Sequence, residues 1–293
     1  MGRIAHVRER VDGLAALGHS MEWGLGGQIT IGRENLCAAA RTRPGIFPST
    51  TNAVLLHPFA CGRDDAVALV LAEGNSKDEG SVVTAGATVA AFADELGEAL
   101  ISEADAVPVL RRAMLRAHDS VLDLGTEQVP PGLYGTVAGP RRDLQGLGVS
   151  VVAVLFTQAR AYVAAIGDCS AWLLREGRIR RLNHTHTLAH DPSYRADVRQ
   201  NPARADDFAD YVVMKVIGLV PDLPTFDVTR LDLAPSDKII LGNESLPAHA
   251  ELASSAGDRT ALQLCEVLGT AVENEPVPTA VAVLVGAIEQ RCR

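Results

Sequence analysis

The sequence predicts an α+β fold built on antiparallel strands, and three observations carry that prediction. The stretch from Ala161 to Asn183, AYVAAIGDCSAWLLREGRIRRLN, holds three short strand-like runs separated by Gly167-Asp168 and Glu176-Gly177, the pattern of strands joined by tight turns. Two long Ala-rich stretches, Ser81 to Leu100 and Ala106 to Leu122, each apolar along one face, follow one another with no strand between them. Strands and helices therefore come in blocks and not as βαβ units, which argues against a doubly wound parallel sheet.

In chain order, Ile4, Val7, Val11, Leu14 and Leu17 recur at helical spacing and predict an amphipathic lead-in helix. Gly24 to Gly32 reads as a loop into a strand; its glycines lack the following GK[ST] of a phosphate loop. Arg41 to Asp65 reads as an irregular insert, a segment type that is often functional, and it carries His57, Cys61, Asp64 and Asp65. Val67 to Ala72 is a buried strand, followed by the two helices. Gln128 to Gln145 is a Pro/Gly/Arg loop, and Leu147 to Phe156 is a core strand entering the three-run meander. Thr185 to Asp206 is polar and irregular, Asp207 to Ile217 a helix, Phe226 to Leu231 and Lys238 to Leu241 strands. Gly257 to Asn274 is a helix and Thr279 to Ala287 a closing strand. No Gly/Ser/Pro-rich linker and no internal repeat divides the 293 residues, so residues 1–293 are expected to form a single domain.

The bulk chemistry narrows the function classes. A formal charge of −9 offers nucleic acid or an anionic membrane no counter-charge. An apolar content of 47% with 4% aromatics supplies an aliphatic core. Cys37, Cys61, Cys169, Cys265 and Cys292 are widely spaced, with no CxxC pair, which argues against a disulfide framework or a zinc site. The N-terminus lacks the apolar stretch of a signal peptide, and no apolar run reaches the roughly 18 residues of a membrane span. A soluble cytoplasmic protein is expected. The preponderance of Arg over Lys points to a GC-rich bacterial genome.

The segment from Ala161 to Asn183 resembles, without a gap, the LYVANVGDSRAYLLRDGKLRQLT segment of the metal-dependent (type 2C) serine/threonine protein phosphatases. Val212 to Leu246 is similar to the family's stretch ending in CSDGL, and Val70 to Phe92 to its VADGMGG stretch with the following helix. The resemblance covers about residues 26 to 286. It implies a four-layer α/β/β/α architecture, an antiparallel β-sandwich flanked by helix pairs. It also implies hydrolysis of phosphoesters with two Mg²⁺ or Mn²⁺ ions held by aspartates.

Carried over residue by residue, that ligand set is altered. The NED position falls at Arg33-Glu34-Asn35-Leu36-Cys37, where the ligand aspartate is Cys37. The VADGMGG position reads Leu71-Ala72-Glu73-Gly74-Asn75-Ser76, so the bridging aspartate is Glu73. The CSDGL position reads Gly242-Asn243-Glu244-Ser245-Leu246, so its aspartate is Glu244. The DNxT position reads Pro276-Val277-Pro278-Thr279 and has no carboxylate, while Asp168 is retained. Glutamate is one methylene longer than aspartate, and Mg²⁺ demands near-ideal octahedral geometry.

These substitutions predict a pocket without a catalytic metal, a single Mg²⁺ or Mn²⁺ on Glu73, Glu244 and Asp168 being the residual alternative. Expected catalytic residues are Glu73, Glu244, Asp168, Cys37, His57 and Asp64. Arg33, Asn35, Gly74, Asn75 and Asn243 are expected to line the substrate. His184 and His186 either share one side of a strand and bind a metal or lie in a solvated loop. The function expected is that of a degenerate phosphatase-like protein. It is either a metal-independent enzyme of bacterial specialised metabolism, with a small or carrier-bound substrate, or a partner-binding pseudophosphatase subunit. The alternative is an active, divergent phosphoserine/threonine phosphatase.

Overall fold

The computed structural model describes residues 20–24, 27–33, 36–43, 50–61, 64–75, 79–98, 106–125, 147–156, 160–234, 237–243, 246, 261–271 and 279–286, with side chains placed for most of them. Among the described residues, twelve strands form two six-stranded antiparallel sheets. The first sheet contains β1 (Ser20–Gly24), β4 (Thr50–Cys61), β5 (Asp64–Gly74), β6 (Val149–Phe156), β7 (Arg160–Ile166) and β10 (Val228–Asp232), in that spatial order. The second contains β2 (Gly27–Arg33), β3 (Leu36–Arg43), β12 (Thr279–Gly286), β11 (Lys238–Gly242), β8 (Ser170–Arg175) and β9 (Arg178–Arg181).

The layers follow from side-chain alternation along the strands. On β5, Val67, Leu69 and Leu71 point between the sheets, where they meet Val54, Leu56, Val152, Val154, Ile239 and Leu241. The intervening Ala68, Val70 and Ala72 face outward, onto helices α1 (Glu79–Glu98) and α2 (Ala106–Gly125) through Val89, Phe92, Leu110 and Met114. The small residues of β5 thus sit where helices press closely on the sheet. Helix α4 (Ala261–Ala271) covers the second sheet with Leu264, Cys265 and Leu268 against Ile240 and Leu174. The class is α+β, an antiparallel sandwich with helices on both outer faces.

Several expectations change. The apparent meander is split between sheets: β7 belongs to the first, β8 and β9 to the second. Only β8–β9 is a hairpin, turned at Glu176 (φ 51) and Gly177 (φ 73), the two positive values of a type I′ turn. The 41–65 segment is largely not irregular, since Thr50–Cys61 is a twelve-residue strand paired with β5. Residues 207–217 form turns and isolated bridges, not a helix. A helix instead occupies Pro192–Gln200 (α3), inside the stretch read as irregular; Asp191 caps it by accepting from Ser193 N and Tyr194 N. The closing strand forms as expected, over Thr279–Gly286, and lies inside the second sheet between β3 and β11. The expected lead-in helix and the 128–145 loop lie outside the described residues.

Candidate functional site

The strand ends of both sheets converge at one end of the sandwich. On the first sheet, Asn52, Glu73 and Ser150 are cross-strand neighbours on β4, β5 and β6. They share the inter-sheet face as a polar row ending an apolar core. All three are buried, Glu73 to 8% exposure. From the second sheet, Asn243 follows β11 and donates its Nδ2 hydrogen to Glu73 Oε1 at 3.0 Å.

The crossover from β7 to β8 supplies the rest. Gly167 has φ +101, and a Cβ there would lie 2.2 Å from Ser150 Oγ, so the turn requires glycine on both conformational and steric grounds. His186 clasps this peptide on both sides: its backbone N–H donates to Gly167 O at 2.9 Å, and its Nδ1 accepts from Gly167 N at 3.1 Å. Asn183 holds the next residues, accepting from Ala171 N at 2.8 Å and donating to Cys169 O at 3.0 Å. Asp168 and Cys169 are thereby fixed beside Glu73. One donor atom from each of Glu73, Asp168 and Cys169 lies within 4.8 Å of the others, and all three residues are buried.

Among the described residues, the electrostatics are those of an acidic pocket with the Arg181 guanidinium nearby. Burial raises the Asp168 carboxyl above its ordinary value. Hydrogen bonding to Ser150, the local backbone and the Arg181 guanidinium only partly oppose the shift. Asp168 Oδ1 is buried without a hydrogen-bond partner among the described residues. Arg181 stacks over Trp172, 5.4 Å from the ring centroid, and burial lowers its own pKa against the pull of Asp168 and Cys169. A buried carboxylate oxygen lacking a donor is costly unless a cation or proton meets it.

The expected site residues divide accordingly. Glu73, Asp168 and Asn243 are brought together. Gly74 ends β5 against the first turn of α1, where a Cβ would fall 2.4 Å from Ser81 Cβ; its role is close packing. Asn75 is exposed, its backbone N–H bonded to Gly148 O at 3.0 Å. His57 is buried, but it occupies the helix-facing side of β4 with Ala53 and Leu55, whereas Glu73 faces the other sheet. Asp64 is nine positions from Glu73 along β5, about 30 Å at the rise of a strand.

Register also separates Cys37 from the site. The site end of the second sheet runs from Ser170 through Gly242 and Val281 to Arg41, leaving the Cys37 backbone about 13 Å along β3. Arg33 pairs with Leu36 beyond it. The sequence reading missed Asn52, which stands directly across from Glu73 where the Cys37 assignment expected a ligand; the strand register was the missing signal. It also missed Cys169. Asn35, Glu244 and the side chains of Arg33, Cys37 and Asp64 lie outside the described residues. His184 is exposed and His186 lies in a loop, not on a strand.

No family model matches the chain. A putative protein phosphatase 2C-type from Streptococcus pyogenes is 22% identical over 193 residues, covering 58% of this chain and 78% of that protein. Among solved structures, a serine/threonine phosphatase of Staphylococcus aureus superposes with a TM-score of 0.69 at 16% identity, covering 89% of this chain and 98% of its own. One from Mycobacterium tuberculosis gives 0.64 at 19% identity, over 86% and 98% of the two chains. A serine/threonine phosphatase catalytic domain in complex with two manganese ions gives 0.64 at 20% identity, over 86% and 99%. At these identities the likeness establishes the fold. The expectation of no cofactor is overturned: that neighbour contains manganese, and Glu73, Asp168 and Cys169 here form a group able to hold an ion.

Proposed function

We propose that this protein is a divergent protein phosphatase of the type 2C kind, hydrolysing phosphoesters with a divalent cation held at Glu73 and Asp168. The observation that carries the reading is the convergence of those two buried carboxylates, from β5 and from the inter-sheet crossover, in a fold shared with manganese-bound phosphatases. The donor set fits one such ion, because buried carboxylates need a compensating charge and Asp168 Oδ1 has no hydrogen-bond donor among the described residues. When bound, the ion supplies Lewis-acid polarisation of a phosphoryl oxygen and an acidified water.

The chain's own residues set the geometry around that ion. Asn243 fixes one oxygen of Glu73, and the clasp of His186 on Gly167 sets the direction of Asp168. Asn52, beside Glu73, carries an amide suited to a phosphoryl oxygen. A second reading, a partner-binding pseudophosphatase, is favoured by one observation: neutral Asn52 and Asn243 flank Glu73, so the described residues bring less negative charge than two dications require.

Turnover of p-nitrophenyl phosphate decides between the readings. Manganese-stimulated hydrolysis that is lost in Glu73→Ala supports the phosphatase. A wild type that binds the ion yet shows no turnover on p-nitrophenyl phosphate or phosphopeptides supports the pseudophosphatase.

A further inference from the structure

The crossover that presents Asp168 also presents a sulfur. We propose that Cys169 is a ligand in this centre, which therefore prefers a thiophilic divalent cation of the zinc or cobalt kind over magnesium. The inference rests on the metal-binding reading above and specifies the ion.

Within a strand, consecutive side chains point to opposite faces, so neighbouring residues rarely serve one site. Asp168 and Cys169 escape that rule because they precede β8, in a turn opened by Gly167 at φ +101. Both then reach the pocket of Glu73, their donor atoms within 4.8 Å of each other and of a Glu73 oxygen. Around a tetrahedral ion bonded at about 2.0–2.2 Å to oxygen and about 2.3 Å to sulfur, the ligand atoms lie roughly 3.5 Å apart. Starting within 4.8 Å of one another, the three atoms reach a common ion by closing in by up to about an ångström. An independent feature points to the same ligand: Asp168 is 8% exposed, and its Oδ1 is buried without a hydrogen-bond partner among the described residues.

Charge and coordination agree. Among the described residues, two carboxylates and a thiolate, set against the Arg181 guanidinium that interacts with both Asp168 and Cys169, leave a deficit that a single dication neutralises. A cation beside a thiol favours the thiolate, the form that binds metal. Thiolates select zinc-like ions where carboxylates alone suit magnesium and manganese. Three protein donors also leave one position of a tetrahedral ion open for substrate, the arrangement of catalytic zinc sites.

The test is titration of the full-length apoprotein with Co²⁺, followed in the near ultraviolet for sulfur-to-cobalt charge transfer, with Mn²⁺ binding measured in parallel by calorimetry. The expected result is a charge-transfer band that saturates with one equivalent of cobalt and disappears in Cys169→Ser. That variant loses about tenfold or more in Zn²⁺ affinity while Mn²⁺ affinity changes far less. Retained Mn²⁺ binding shows that the variant is folded. Stoichiometric cobalt binding without the band in the wild type overturns the thiolate ligand and leaves the carboxylate centre standing. Failure of both Co²⁺ and Mn²⁺ to bind overturns the metal-binding reading itself.

Discussion

Asn243 and Glu73, 170 positions apart in sequence, meet at 3.0 Å across the mouth of the sandwich and join its two sheets through one hydrogen bond. The bond orients a buried carboxylate. It also makes the site sensitive to how β11 sits against β5, since Glu73 lies near the end of β5 in one sheet and Asn243 directly after β11 in the other.

Removing that donor leaves carboxylate charge buried with less compensation. Asn243→Ala is expected to cost about 1.5–3 kcal/mol, the range for hydrogen bonds to charged groups. Urea denaturation of the apoprotein measures this. Saturating Mn²⁺ should recover part of the loss, because the ion binds the folded state only.

Gly167→Ala tests the crossover. The substitution forces a side chain into positive φ, a strain of about 1–3 kcal/mol, and sets its Cβ 2.2 Å from Ser150 Oγ. Stability should fall by at least that range, and Mn²⁺ affinity should fall with it, read by thermal melting and calorimetry.

Asp168 gives a pH signature. Its folded pKa is raised by burial, so the folded apoprotein holds a proton that the unfolded chain releases above the ordinary value of 3.8. This contribution to stability is fully present below that value and is lost as pH rises through the raised folded pKa. Asp168→Asn should flatten this part of the stability profile and make the apoprotein more stable than wild type at neutral pH. It should also abolish metal binding. Denaturation at a series of pH values checks both signs.

His186 has the opposite sign. Burial, with Lys215 nearby, lowers its pKa below 6.5, and its Nδ1 is occupied as an acceptor for Gly167 N. Its contribution is present above pH 6.5 and is lost as pH falls through the depressed folded pKa. His186→Asn keeps an acceptor at a similar place without the titration. The variant should lose less stability than wild type between neutral and mildly acidic pH, measured by the same denaturation series.

The sequence made the architecture legible because the Ala161–Asn183 run and the Ala-rich helices carry strong local patterns. The split of that run between sheets was not legible: a hairpin and an inter-sheet crossover both need a Gly turn between apolar strands. The site was half readable. Glu73, Asp168 and Asn243 sit within recognisable local motifs at strand ends. Asn52 becomes Glu73's neighbour only through the β4–β5 register, and His57 drops out because strand alternation turns it toward the helices. Cys169 lines the inter-sheet core, and the ligand role proposed for it depends on the turn geometry at Gly167.

Metal content at equilibrium tests the central claim most directly. Full-length apoprotein dialysed against Mn²⁺ should retain a single ion per chain, and Glu73→Gln and Asp168→Asn should each retain none while remaining folded. A wild type that retains no ion, or variants that retain as much as the wild type, would contradict the assignment of Glu73 and Asp168 as the groups that hold it.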